Sequence, residues 1–419
     1  MKGARITAFL GLLLMAFTFG FAWRDLRDGQ LPPAESVRAL LTGGSRADED
    51  SPLHVFREAF WTIAKEYYKP VPVEKLRLAA MEGLFSSLGD PYTQFMEPRV
   101  ARSFADDTKA HYGGVGASLL RNPLGATVRT VFPDGPAAKA GLRPGDTITA
   151  VDGLPVGGMQ LDQIVQRVRG KENTSVRLTI LRSGADAPIE LTIRRKQLLA
   201  PTVDLVMLPG TKFAYMPITA FAEPTTAQFT AALDAAESQG VKGLIIDLRW
   251  NPGGLLDTAV EMLSRFAENK LVVKVRNRAG KDEFERTSSG FKRDLSFPVV
   301  VLVNEDSASA AEIFAGVLQD YKLATLVGTH TYGKAAVQRV WNLSDGSSAK
   351  ITVARYFLPS GRDLTRRVTE DGEYISGGIK PDVEVELEPI TGQQPATYPV
   401  IDSQIKKAIE ILQAKTGSR

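Results

Sequence analysis

Three short stretches of the chain carry groups that could act together on a carbonyl. The first runs Phe297-Pro-Val-Val-Val-Leu-Val-Asn-Glu-Asp-Ser-Ala-Ser-Ala-Ala-Glu-Ile-Phe-Ala-Gly-Val-Leu-Gln-Asp320. Val299 to Val303 is apolar and mostly β-branched, which predicts a buried strand. Asn304, Glu305 and Asp306 interrupt it with turn chemistry. Beyond Ser309 the period changes, with Ile313, Phe314, Val317 and Leu318 on one helical face. Ser309 therefore stands at a strand–turn–helix junction, where N–H groups lack intrahelical partners and carry partial positive charge. A hydroxyl there can attack a carbonyl while an adjacent N–H, that of Ala310, holds the oxyanion. The plainer reading makes Ser307 or Ser309 an N-cap, and caps are far commoner than nucleophiles.

The second stretch is the apolar strand Leu244-Ile-Ile-Asp-Leu-Arg, which ends in Trp250-Asn-Pro-Gly-Gly. Gly253 and Gly254 permit a tight turn whose N–H groups can face an anion, and they serve as oxyanion donors only if they face Ser309. Otherwise the turn is a helix-start loop with Pro252 in its first turn. The third stretch, Val327-Gly-Thr-His-Thr-Tyr-Gly-Lys-Ala-Ala-Val-Gln338, contributes Lys334 and Gln338. A lysine that loses solvation also loses pKa, and a neutral amine can take the proton of a serine hydroxyl. Gln338 could orient that amine by hydrogen bonding. A solvated surface lysine is the plainer alternative.

Composition narrows the choice of base. The chain has no cysteine and only three histidines, His54, His111 and His330, which are far apart and lack metal-ligand spacing. Disulfides, thiolate metal sites and a cysteine nucleophile are excluded; no metal or other cofactor is expected. The 51 Lys and Arg nearly balance 48 Asp and Glu, leaving a net charge of +3 and no electrostatic case for nucleic acid.

The elements that must position these groups can be read along the 419 residues, a length that suggests two or three domains. Lys2 and Arg5 precede an uncharged apolar run over 6–22, the pattern of an export signal at the short edge of a spanning helix. Residues 1–23 are thus a signal peptide or a retained membrane anchor, with the apolar end favouring the anchor; either places the bulk of the chain outside the cytoplasm, in the periplasm or cell envelope. Residues 24–52, rich in charge, Gly and Pro, read as a linker. The region 53–108 is expected to be helical. Val55, Phe56, Phe60, Ile63 and Ala64 form one face, and Leu76, Leu78, Met81, Leu84 and Phe85 another, with Gly89-Asp90-Pro91 as a stop. Such short helices have little core of their own and are expected to pack on a second copy or on the main domain, so a homo-oligomer is anticipated.

Residues 109–198 form a β-rich module with strands at 126–131 and 175–180 and a helix over 161–169. From 199 to 390 strands and helices alternate: strand 212–218, helix 225–239, strand 243–248, helix 255–266, then the Ser309 unit. Strands follow at 349–357 and 382–387, and the tail 391–419 ends in a helix over 401–414. Alternation of this kind predicts α/β layers.

Two resemblances rest on these residues. Tyr112-Gly-Gly-Val-Gly-Ala-Ser-Leu, Gly135-Pro-Ala-Ala-Lys-Ala-Gly-Leu-Arg-Pro-Gly-Asp-Thr-Ile and Val151-Asp-Gly closely resemble a PDZ domain. That likeness implies that Gly114, Val115, Gly116 and Ala117 present N–H groups to a peptide's terminal carboxylate, with the peptide added as a strand. The set Asp-Leu-Arg-Trp-Asn-Pro-Gly-Gly, Ser307-Ala-Ser-Ala-Ala-Glu, Thr331-Tyr-Gly-Lys-Ala-Ala-Val-Gln, Ala354-Arg-Tyr-Phe-Leu-Pro-Ser-Gly-Arg and Gly378-Ile-Lys-Pro-Asp resembles the carboxyl-terminal processing, or tail-specific, proteases. The family pattern implies Ser309 as nucleophile, Lys334 as general base 25 residues on, and Gln338 as its support one helical turn later. It further implies oxyanion donors from Ala310 and the Gly253/Gly254 turn, a structural role for Asp320, and a crotonase-like α/β protease core with an inserted PDZ domain. One departure stands out: Ala335 replaces the Gly that usually follows the lysine, and the loop would differ if that position required a left-handed backbone.

The expected activity is a serine endopeptidase that captures the C-terminal tail of a protein or unfolded chain, either directly or with an adaptor protein. Arg169, at the end of the module's helix, would either report peptide occupancy to the core or serve as a solvated helix-end charge. The competing class is a non-catalytic PDZ scaffold carrying a decayed core, which the intact Ser309, Lys334 and Gln338 disfavour.

Overall fold

The computed structural model describes residues 52–417 apart from 133, 370, 372–373 and 389–398. The apolar run 6–22 and most of the expected linker lie outside these residues. The chain divides into two compact units, Met1–Ser87 and Leu88–Arg419.

In the first unit the described residues form α1 (Pro52–Glu66) and α2 (Val73–Ser86). The apolar face anticipated on α1 exists but is open: Val55, Phe56 and Ile63 are 66%, 54% and 50% exposed. Of the α2 residues only Phe85 is buried.

The second unit opens with β1 (Gln94–Met96), α3 (Pro98–Thr108) and β2 (His111–Gly114). The strand β1 interrupts a region expected to be helical throughout. Its three residues pair antiparallel with a distant strand, and that tertiary pairing overrides local pattern. A β-rich module follows: β3 (Ala117–Asn122), β4 (Gly125–Val131), α4 (Pro136–Lys139), β5 (Thr147–Val151), β6 (Leu154–Pro155), α5 (Leu161–Val168), β7 (Ser175–Leu181) and β8 (Ile189–Arg194). Its sheet has the order β3-β4-β5-β7-β8, with β6 on β5. Alternate residues of β7, Val176, Leu178 and Ile180, join Ile164 and Val168 of α5 in one apolar core. Strand β9 (Lys196–Leu199) returns to pair with β2 and closes the module's entry and exit together.

The core then runs β10 (Val206–Met207), β11 (Phe213–Pro217), α6 (Thr225–Ser238), β12 (Gly243–Asp247), α7 (Leu256–Leu263), β13 (Leu271–Asn277), β14 (Asp282–Arg286), β15 (Val299–Val303), α8 (Ala310–Asp320) and β16 (Thr325–Gly328). It continues through β17 (Ala336–Asn342), β18 (Ser348–Phe357), β19 (Arg367–Val368), β20 (Tyr374–Ser376), β21 (Val383–Glu384) and α9 (Ser403–Gly417). The central sheet has the order β10-β11-β12-β15-β16-β21, parallel from β11 onward. Side chains alternate across it. Leu244, Ile246, Val299, Val301 and Val303 face a cluster with Phe229, Met262 and Phe314 from α6, α7 and α8. Ile245, Val300 and Leu302 face Ile405, Ala408 and Leu412 of α9. Both faces are covered, which is why β12 and β15 read as unbroken apolar runs. A second sheet, β1-β18-β13-β14 with β17 on β18, is antiparallel. The strand expected over 382–387 is only the two residues of β21.

Candidate active site

Three parallel neighbours, β12, β15 and β16, end at one edge of the central sheet. The segment after β12 carries Gly253 and Gly254, that after β15 carries Ser309, and that after β16 carries Lys334. Ligand and catalytic groups collect at such strand ends because successive loops emerge there side by side.

Ser309 is the N-cap residue of α8, with φ 56° and ψ −118°. A serine in that conformation is strained and persists only if its surroundings hold it. A polar scaffold does so. Ser307 Oγ donates to Leu248 O at 2.8 Å and accepts from Asn304 N–H, while Asn304 Oδ1 accepts from Trp250 N–H at 2.9 Å. Ala308 N–H donates to Asn251 O, and Asn251 Nδ2 donates to Ile218 O at 2.7 Å. Ser307, Asn251 and Asn304 are all buried. Ser307 is thus a structural tie between the two turns, and Ser309, half-buried, is the hydroxyl at the edge.

Glu312, fully buried in the first turn of α8, organises the rest. Its Oε2 accepts from Ser309 N–H at 2.9 Å and from Lys334 N–H at 2.8 Å. Its Oε1 accepts from Gly333 N–H at 2.7 Å and from Thr331 Oγ1 at 2.5 Å. Burial raises the Glu312 pKa, while the bonds from Thr331, Lys334, Gly333 and Ser309 oppose that rise. Tyr332 N–H reaches Ser307 O at 3.0 Å, and the Tyr356 hydroxyl bonds to Lys334 O, so the lysine segment is stitched to the serine segment at several points.

Lys334 is half-buried, and its Nζ sits 5.1 Å from the centre of the Tyr92 ring. Burial, and then the nearby Lys350, hold its amine below the ordinary lysine value; Glu312 and Asp90 pull the other way. Among the described residues no hydrogen bond joins Lys334 Nζ to Ser309 Oγ. Ala335 keeps a negative φ, and the left-handed residue of this loop is Gly333 at φ 88°. Ala335 is therefore accommodated without left-handed strain. Gln338 departs from expectation. It lies on β17, not one helical turn beyond Lys334, beside a register shift in the β17–β18 pair, and its Nε2 donates to Ala336 O at 3.2 Å.

Gly253 faces the serine directly. At φ 94°, a Cβ built on it would lie 2.6 Å from Ala308 O, 2.8 Å from Ala310 N and 2.8 Å from Ser309 Cβ. Its own N–H, however, donates to Asn251 Oδ1 at 2.9 Å. The N–H groups of Ala310 and Gly254 have no acceptor among the described residues. Asp320, at the far end of α8, accepts from Arg362 Nη2 at 2.5 Å and from Ser360 N–H at 2.9 Å, a bracing contact well away from Ser309.

The second candidate site is a groove of about 270 Å³ between β3 and α5, lined by Val115, Leu119, Phe132, Val165 and Val168 with Arg169 at its margin. Gly114 and Ala117 also border it, and Ala200, Pro201 and Thr219 of the following segment close one side. Val115 O and Gly116 O accept from Ala137 and Phe132 N–H groups, turning the loop's carbonyls inward. The N–H groups of Val115 and Gly116 have no acceptor among the described residues. Arg169 follows α5 directly and is 4.0 Å from Asp107 of α3. Burial lifts the Asp107 carboxyl above its ordinary value, with Arg169 opposing. Among the described residues no group of three or more His, Cys, Asp or Glu could hold a metal ion.

Several residues of this arrangement escaped the sequence reading. Glu312 had a signal: Ser309-x-x-Glu312 is the spacing of a capping box, in which the N3 carboxylate accepts the N-cap N–H. Tyr92 and Tyr356 had none, since their neighbour at the site, Lys334, comes from a distant segment of the chain.

Comparisons with known proteins agree on the family. Residues 212–385 match peptidase family S41, 127–182 the PDZ domain, and 18–99 the activating protease CtpB N-terminal domain. The chain is 35% identical over 351 residues to the carboxy-terminal processing protease CtpA of Bacillus subtilis (strain 168), covering 83% of this chain and 72% of that protein. It is 33% identical over 352 residues to a CtpA-like serine protease of Staphylococcus aureus (strain N315), covering 84% and 68%. A solved S41 protease from Bacteroides fragilis shares the fold at a TM-score of 0.53 and 18% identity, over 81% of this chain and 90% of that one. The mixed helix and sheet core, the PDZ module and these alignments lead to one conclusion: the chain belongs to the carboxyl-terminal processing proteases of peptidase family S41 and is a serine peptidase.

Proposed function

We propose that the protein is an extracytoplasmic endopeptidase with Ser309 as nucleophile and Lys334 as general base. The observation that carries this reading is the convergence of both residues on one oxygen of Glu312, at the edge where three parallel strands end. Ser309 Oγ attacks the scissile carbonyl carbon and its proton passes to the Lys334 amine. The oxyanion lies against the N–H groups of Ala310 and Gly254, while Gly253 keeps the turn close to the serine. Collapse breaks the C–N bond, Lys334 gives its proton to the leaving amine, and an ester on Ser309 remains. Water, deprotonated by Lys334, then releases the acid. Gln338 supports the amine only after its side chain leaves Ala336 O.

Substrates are proteins or peptides with accessible C-terminal tails. The free N–H groups of Val115 and Gly116, at the end of an apolar groove, suit a terminal carboxylate with an apolar last side chain. Arg169, between that groove and Asp107, is placed to couple tail binding to α3. The proposed organisation is a signal or anchor over 1–23, a linker over 24–52, helices over 53–108, the PDZ domain over 109–198, the protease core over 199–390 and the tail with its helix over 391–419. The basic, apolar N-terminus supports export to the periplasm or cell envelope. The open apolar face of α1 supports a homo-oligomer formed through these helices, and an adaptor that delivers substrates is compatible with the PDZ groove.

The test compares an unfolded protein bearing a free C-terminal carboxylate with the same chain amidated. Wild type is expected to cleave the free form and Ser309→Ala neither; amidation should raise KM about tenfold or more, the loss of a charge-assisted site. Equal cleavage by Ser309→Ala overturns the nucleophile, and equal KM for both tails overturns capture through the terminus.

A further inference from the structure

Tyr92 lies in the segment that follows α2, within the same compact unit as the protease core. Gly89-Asp90-Pro91 at its start is more than a helix stop. Asp90 Oδ1 accepts from Tyr92 N–H at 3.0 Å, and Asp90 Oδ2 accepts from Thr93 Oγ1 at 2.6 Å. Thr93 Oγ1 in turn accepts from Thr352 N–H of β18 at 2.9 Å, and β1 continues the attachment by pairing Gln94 with Lys350. The half-buried Tyr92 side chain lies beside that of Tyr332, whose N–H is tied to Ser307 O next to the proposed nucleophile. The backbone that carries the ring is therefore fixed to β18, and over the ring's face stands Lys334 Nζ at 5.1 Å.

We propose that Tyr92 is a positioning residue for the base: its ring face holds the Lys334 ammonium at rest and sets how readily the amine is released toward Ser309. The inference rests on the reading of Lys334 as the base. An aromatic face attracts an ammonium and not a neutral amine, so the ring favours the protonated form. The other groups that face Lys334 are Lys350 from β18, which disfavours the ammonium, and Glu312 from α8 and Asp90 from the approach loop, which favour it. Tyr332 lies on the lysine's own segment, and the Tyr356 hydroxyl bonds to the Lys334 carbonyl. Burial works against the charge throughout. The ring is thus a counterweight: it keeps a desolvated lysine in one place and charged until substrate enters.

The test uses the full chain and reads Lys334 itself, by the pH dependence of its acylation with an amine reagent, followed by mass spectrometry. In parallel, kcat/KM is followed against pH on an unfolded substrate. Tyr92→Phe keeps the ring and should leave both curves in place. Tyr92→Leu keeps an apolar cover and removes the π face; the Lys334 titration and the acid limb should move to lower pH by about half a unit to one unit. A series of increasingly fluorinated phenylalanines at position 92 should give graded shifts in the same direction, and it answers the question even if the leucine variant folds poorly. Curves that superimpose across the series overturn the proposal. Wild-type cleavage by Lys334→Ala overturns the base assignment instead, while the labelling curve still decides what Tyr92 does to the amine.

Discussion

Ser309 and Lys334, 25 residues apart in sequence, donate their backbone N–H groups to the same oxygen atom of Glu312. The relationship makes one buried carboxylate the hinge pin of the site. In Glu312→Gln, whichever way the amide is turned, an NH2 group faces two of the four donors that now meet an oxygen. Two orphaned buried groups should lower stability by roughly 2–6 kcal/mol. Thermal melting should register that loss, and cleavage should fall about a hundredfold or more because the backbones of Ser309 and Lys334 both shift.

Gly253→Ala should remove activity while leaving the fold. The new Cβ would stand 2.8 Å from both Ser309 Cβ and Ala310 N, so the turn must move away from Ser309. Loss of one oxyanion contact is commonly worth about a hundredfold or more in kcat. Circular dichroism and PDZ peptide affinity should stay at wild-type values; a cleavage rate within threefold of wild type would argue against the packing described.

Lys350 fixes a sign for pH dependence. With Lys334 as the proposed base, kcat/KM is expected to rise as pH rises through the Lys334 pKa, which burial and then Lys350 hold below the ordinary lysine value. Removing a like charge lets the ammonium persist to higher pH. Lys350→Met should therefore move the acid limb upward, the reverse of the shift expected for Tyr92→Leu. A limb that stays fixed would disconnect Lys334 from the rate.

Arg249 ties the turn after β12 to the C-terminal helix. Its guanidinium donates to both oxygens of Asp247, to Asp402 Oδ2 and to Gln404 Oε1, and all four residues are at least nine-tenths buried on their side chains or overall. Arg249→Met would leave two carboxylates without their cation, at a cost of about 3–5 kcal/mol. The melting temperature should drop accordingly, and a denaturant midpoint unchanged from wild type would contradict this account of how α9 is fastened.

Much of this site was legible in the chain before any coordinates. β15 and α8 announce themselves because burial on both faces leaves only one readable pattern, an apolar run followed by a change of period. The Gly253 turn and the Lys334 segment were visible as loops after apolar strands, and only the parallel order β12-β15-β16 brings them to one edge. What stayed hidden depends on distant pairing. β1 is helical by local pattern and a strand only because β18 is there to receive it. Gln338 has helical spacing from Lys334 but sits on β17, for the same reason. The contact of Tyr92 with Lys334 follows from β1's attachment and has no local signature.

The central claim is that Lys334 takes the Ser309 proton, and single-turnover cleavage of an unfolded substrate tests it most directly. Wild type, Ser309→Ala and Lys334→Ala should be compared at enzyme excess across a range of pH. The account predicts that both variants fall to background at every pH while keeping wild-type melting and PDZ peptide affinity. Cleavage by Lys334→Ala within tenfold of wild type, at any pH, would contradict it.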